Sequence, residues 1–147
     1  MRPFATWSER VSRCLTLALS AALLATACRS QRASSPADAK EIIGWSRLGS
    51  WSGRGNLQTE TFTSETGGFR VTWETRNPLR PGAGTLKVTF RSGDSGNPII
   101  EAVDAKGVDH DIEYVGDRPR WYYLTIESMD VDWSVIVDEP IYGETHK

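Results

Sequence analysis

From Trp51 to Asp138 the chain is organised by short runs in which apolar and polar residues alternate. Phe69-Arg70-Val71-Thr72-Trp73-Glu74 alternates without a slip, Leu86-Lys87-Val88-Thr89-Phe90-Arg91 repeats the pattern, and Trp133-Ser134-Val135-Ile136-Val137-Asp138 comes close to it. A period of two sends successive side chains to opposite faces of an extended backbone, so each run predicts a strand with one buried and one wet face. Tyr122, Leu124 and Ile126 make a further inward row, and residues 49–55, 59–63, 99–104 and 110–115 are weaker strand candidates. Between these runs, Thr66-Gly67-Gly68, residues 77–84, residues 92–98, Ala105-Lys106-Gly107 and Gly116-Asp117-Arg118-Pro119 carry the residues that turns require. About seven or eight short strands of this kind predict an all-β fold, an antiparallel β-sandwich over residues 49–140. Its expected core is Phe69, Trp73, Phe90, Tyr122, Leu124 and Trp133.

Upstream the pattern changes. Arg2, Arg10 and Arg13 precede an apolar, Leu/Ala-rich run over residues 14–27 that ends in small residues, the layout of a secretory signal peptide. The run falls short of the roughly 20 apolar residues that a membrane-spanning helix needs. Residues 29–39 are polar and without period, which predicts a flexible tether within 28–48. Ser35-Pro36 has the form of a helix N-cap followed by proline at the first helical position. Residues 37–43 therefore read as a candidate short helix, closed by Gly44 and docked through Ile42, Ile43 or Trp45. Residues 141–147 read as a flexible tail.

Leu24-Ala25-Thr26-Ala27-Cys28 resembles the lipobox of bacterial lipoproteins, in which small residues precede an invariant cysteine. The family prefers leucine three positions before that cysteine; here Ala25 holds the place, with Leu23 and Leu24 just before it. The resemblance implies cleavage after Ala27, a diacylglycerol thioether on Cys28 and an N-linked acyl chain such as palmitate. More than one chain makes such anchoring stable. Arg29, where an inner-membrane lipoprotein would carry aspartate, implies the outer membrane, facing the periplasm. The strands resemble those of small exported bacterial β-sandwich modules of uncharacterised role, through Phe69-Arg70-Val71-Thr72-Trp73, Tyr122-Tyr123-Leu124-Thr125-Ile126 and Trp133-Ser134-Val135-Ile136-Val137. That likeness covers residues 49–139 and speaks to fold alone, because sandwiches host many functions.

Charge and cysteine content narrow the picture. A formal charge of −2 offers no basic footprint for nucleic acid. Loss of Arg2, Glu9, Arg10 and Arg13 with the leader takes it to −4, so lipid chains and not charge would hold the protein at a membrane. The only cysteines, Cys14 and Cys28, precede the strands, and the domain must hold together by its core without a disulfide. Charge is uneven along the chain: residues 29–91 are mainly basic and residues 92–147 mainly acidic.

Three clusters invite a functional reading. Gly93-Asp94-Ser95-Gly96 matches the surroundings of the nucleophile in chymotrypsin-like proteases, but both histidines, His110 and His146, follow the serine instead of preceding it. Glycine, aspartate and serine are also what a hairpin loop uses. Asp109-His110-Asp111 could ligate an ion, yet on a strand the two aspartates point one way and the histidine the other. Trp121 and Tyr123 are the third cluster. With Tyr122 and Leu124 inward, these rings face outward on one side, beside Arg118 and Arg120, where they could stack on a sugar or grip a peptide.

The expectation is a lipid-anchored, non-enzymatic β-sandwich of the cell envelope. It would bind the membrane through lipid on Cys28 and an envelope glycan or protein through Trp121, Tyr123, Arg118 and Arg120. No cofactor and no metal site is implied. The alternatives are a structural subunit of an envelope assembly and a hydrolase using Asp109 and Asp111 as an acidic pair.

Overall fold

The computed structural model describes residues 40–143. These form nine strands: β1 (Glu41–Arg54), β2 (Leu57–Gln58), β3 (Phe62–Ser64), β4 (Gly68–Arg76), β5 (Thr85–Ser92), β6 (Pro98–Lys106), β7 (His110–Gly116), β8 (Arg120–Met129) and β9 (Asp132–Gly143). All pairings are antiparallel and fall into two sheets. Sheet A has the order β1-β9-β4-β7. Sheet B has the order β2-β8-β5-β6, with β3 also paired to β8.

β2 and β3 lie in line along one edge of β8, because Leu57 faces Ile126 and Phe62 faces Tyr122 while β5 holds the other edge. The break between them is bridged by Thr59, whose amide donates to the Leu124 carbonyl and whose hydroxyl accepts from the Leu124 amide. Counted as one interrupted strand, they leave eight strands in four nested pairs: β1 with β9, β2/β3 with β8, β4 with β7, and β5 with β6. Those pairs are distributed between two sheets, with β9 joined to β4 and β8 to β5. This is the strand order of a jelly roll, one of the double-sheet arrangements of β-sandwiches.

The alternating runs make the two inner faces. Phe69, Val71, Trp73, Leu86, Val88, Phe90, Tyr122, Leu124, Ile126, Trp133, Val135 and Val137 are all buried in one cluster. All six expected core residues belong to it. Phe69 of sheet A meets Phe90 and Tyr122 of sheet B with ring centroids 4.7 and 5.0 Å apart, so the aromatic residues clasp the layers together. Phe62 extends the cluster to Trp51 of β1 at 5.9 Å and closes the side between the β1 and β3 edges. The Trp133 indole donates to the Gly55 carbonyl at 2.9 Å.

Two polar devices fix one end of the sandwich. The Tyr122 hydroxyl lies 2.5 Å from the carbonyl of Arg118, four residues upstream, as in a tyrosine corner, and 2.9 Å from Asp117 Oδ2. Burial raises the Tyr122 pKa above its ordinary value, and the Asp117 carboxylate adds to that. Glu139, buried on β9, accepts from the Ser64 hydroxyl and from the Glu65 and Thr66 amides through one oxygen, Oε2. It thereby ties the β3–β4 turn to β9. Gly67 in that turn has φ +74°, and a Cβ there would stand 2.5 Å from the Arg118 backbone, so both conformation and space demand glycine.

The expected helix over 37–43 is corrected where the structure describes it. From Glu41 the chain is strand β1, which pairs with β9 from Glu41–Gly143 to Arg54–Asp132. A two-turn helix has little stability of its own, whereas extended chain satisfies its backbone along the whole of β9. Bulges near Ile43 and Leu48 keep the register. The sandwich thus begins near residue 41 and not 49, and residues 141–143 are strand and not tail. The leader, Cys28, Ser35-Pro36 and His146 lie outside the described residues.

Candidate functional site

β8 and β5 form the centre of sheet B, and their inward residues alternate with an outward set. On β8 that set is Trp121, Tyr123, Thr125 and Glu127; on β5 it is Lys87, Thr89 and Arg91. Register places Tyr123 opposite Arg91, Thr125 opposite Thr89 and Glu127 opposite Lys87. Trp121 is 53% exposed, and Tyr123 is half-buried. Both rings therefore stand on the outer face, as their alternation with Tyr122 requires.

The β5–β6 hairpin tip supports them. Gly93 donates its amide to the Trp121 carbonyl at 2.9 Å, and a Cβ at residue 93 would come within 2.7 Å of the Trp121 Cβ. Only glycine lets the loop lie this close. The Tyr123 hydroxyl is 3.5 Å from the Gly96 carbonyl, and Arg91 donates to that same carbonyl and to Thr125 Oγ1, both at 3.1 Å. Arg91 is thus held across the sheet between the tyrosine row and the loop. Beyond it lies a shallow depression of about 280 Å³, lined by Asn56, Leu57, Gln58, Arg91, Thr125 and Glu127 among others. A ring platform that runs into a depression with amide, guanidinium and hydroxyl groups can stack on a flat ligand and hydrogen-bond its edge.

The two arginines of the expected quartet part company with the rings. Arg118 is exposed in the β7–β8 turn. Arg120 alternates to the other side, paired with Asp117 and lying 5.5 Å from the Tyr122 ring. Burial pushes the Asp117 carboxyl up, but Tyr122 and Arg120 together hold its pKa below the ordinary value. Arg120 serves the sandwich end, and Arg91 is the cation beside Tyr123. Alternation in the β5 run points Arg91 outward, but only the β5–β8 register brings it to Tyr123.

The other clusters resolve simply. Gly93-Asp94-Ser95-Gly96 is the β5–β6 hairpin tip, closed by the Gly96 amide on the Ser92 carbonyl at 2.8 Å, while His110 is on β7 of the other sheet. His110 lies opposite Glu74 on the outer side, and Asp111 lies opposite Trp73 on the inward side. Asp109 and Asp111 are exposed and each accepts from the next backbone amide at 2.8 Å. Among the described residues no group of three metal-ligating side chains comes together.

Sheet A carries a second outer cluster that the sequence reading did not single out. Trp45, expected only to help dock a helix over residues 37–43, packs its ring 5.9 Å from that of Tyr114, with the Arg70 guanidinium 4.5 Å above it. Arg70 and Arg47 both bind Asp138, at 2.8 and 3.0 Å. Burial raises the Asp138 pKa, but the two guanidiniums outweigh burial and leave it below the ordinary carboxylate value. No protein-family model matches the chain, and comparison with curated proteins finds no match either.

Proposed function

We propose that the protein is a non-catalytic binding module of the cell envelope, held at the membrane by lipid on Cys28. Its ligand is an envelope glycan or protein that lies along the outer face of sheet B. The observation that carries the reading is the exposed Trp121 in one row with Tyr123, leading to the depression beside Arg91. Large exposed rings in line are favoured where a partner covers them. The lipobox resemblance supports the anchor and the outer-membrane location.

The test is binding of soluble envelope glycan fragments, and capture of envelope proteins, by the full chain and by a Trp121→Ala/Tyr123→Ala variant. The expected result is at least a tenfold loss of affinity, the size of a hot-spot truncation above about 1.4 kcal/mol. Unchanged binding by a folded variant would overturn the site. Incorporation of an alkynyl fatty acid into the wild type but not into Cys28→Ser tests the anchor separately.

A further inference from the structure

Eleven large apolar residues are exposed among the described residues, and four of them cluster: Ile42, Ile43, Ile141 and Tyr142. They occupy the start of β1 and the end of β9. Pairing of β4 with β9 stops at Arg70–Asp138, whereas β1 and β9 continue through Gly44–Ile141 and Ile42–Tyr142 to Glu41–Gly143. Residues 41–44 and 141–143 therefore form a two-stranded ribbon that runs past the rest of sheet A. Side chains pack across it: the place of a Cβ on Gly143 is taken by Ile43, and Gly44 faces the Ile141 methyl at 3.6 Å.

Chemistry is graded along this ribbon. Behind Glu41, which opens the ribbon, the side chains are isoleucines and Tyr142, with Ile43 67% exposed. Next comes Trp45, whose ring packs on that of Tyr114; Tyr114, 66% exposed, stands in the row of the arginines. Arg47 and Arg70 follow, fixed on Asp138. Apolar side chains, then tryptophan, then arginine beside tyrosine follow the environments met on leaving a bilayer, because amphipathic rings sit at headgroup level and guanidiniums prefer the wet side. The chain enters this ribbon only thirteen residues after Cys28, at most about 45 Å of extended backbone.

We infer that the β1–β9 ribbon is a second membrane contact, seating Ile42, Ile43, Ile141 and Tyr142 in the interface of the bilayer that holds the Cys28 lipid. The inference rests on the anchor of the proposed function. Two contacts would fix the domain's tilt. The net negative charge of the mature chain makes this contact apolar, so salt does not release it.

Because Cys14 leaves with the leader and Cys28 is acylated, an introduced cysteine is the sole free thiol. Full-length chains carrying Ile43→Cys, Tyr142→Cys or, as a control on β6, Asp104→Cys are exported, purified, labelled with a fluorophore and placed in phosphatidylethanolamine/phosphatidylglycerol vesicles. Bromine-bearing lipid should quench labels at 43 and 142 about threefold or more above the label at 104, as for side chains set 5–10 Å into the headgroup boundary. The difference should persist in molar salt. Equal quenching at all three sites with Cys28 acylated overturns the ribbon contact alone. An N-terminal peptide mass without lipid overturns the anchor, and with it this placement of the ribbon.

Discussion

The two sheets contribute alike to one core and present opposite plans to the outside. Across sheet A, register lines up Arg47, Asp138, Arg70 and Tyr114 over all four strands, and both arginines bond the Asp138 between them. Asp138 is 5% exposed and has no work left to do except hold those arginines. On sheet B the corresponding rows are Tyr123–Arg91, Thr125–Thr89 and Glu127–Lys87, and Trp121 stands beyond them with most of its ring free. Sheet A has its charged row consumed internally and keeps Tyr114, packed against Trp45, open; sheet B keeps Trp121 and Tyr123 in one row beside a depression. An exposed face is informative about binding only where its groups are not already satisfied by the fold.

The largest effect that could break this contrast is on stability. Asp138→Ala leaves two guanidiniums without their acceptor on a partly covered face and should destabilise by about 2–3 kcal/mol. Trp121→Ala/Tyr123→Ala should cost about 1 kcal/mol, since one ring is largely solvated already. Urea denaturation of the two variants measures both. If the double variant is the less stable, the rings on sheet B are structural and their exposure carries no functional meaning.

Acid gives a second, smaller handle. The Asp138 pKa is lowered in the folded protein, so its contribution is complete above the unfolded carboxylate value of about 3.9 and is lost as pH falls through the folded value. The stability difference between wild type and Asp138→Asn should therefore be full at pH 6 and shrink steadily below pH 4. A difference that stays constant down to pH 2 would show that Asp138 acts by shape and not by charge.

Much of this was legible in the sequence because the strands in the centre of each sheet obey a period of two. Runs such as 69–74 and 86–91 bury one set of side chains against an entire second layer, and no other backbone satisfies that pattern. Trp121 and Tyr123 were legible for the same reason. The start of β1 was not: residues 37–43 have no period, and the conformation of residues 41–43 is set by β9, about a hundred residues away. The Asp138 cluster was hidden likewise, because pairing Arg47 with Asp138 is a fact of topology. One hint was present unread. The basic first half and acidic second half become partners when the chain folds back on itself in nested pairs, as Arg47 and Arg70 with Asp138, Arg54 with Asp132, and Lys87 with Glu101 show.

The smallest expected effect tests whether sheet B is as unconstrained as the contrast requires. Lys87 and Glu101 approach to 3.1 Å, and the carboxylates of Glu101, Asp104 and Glu127 around Lys87 raise its pKa. Both partners of the pair are nevertheless open to water, where ordering two long side chains offsets most of the attraction and salt screens the rest. Lys87→Ala should leave the urea midpoint unchanged within error, at low salt and at 0.5 M alike. A clear, salt-sensitive loss of stability would mean that the charges on sheet B are braced as those around Asp138 are. Both faces would then carry braced charges beside exposed rings, and the case for a ligand along β8 would rest on Trp121 alone.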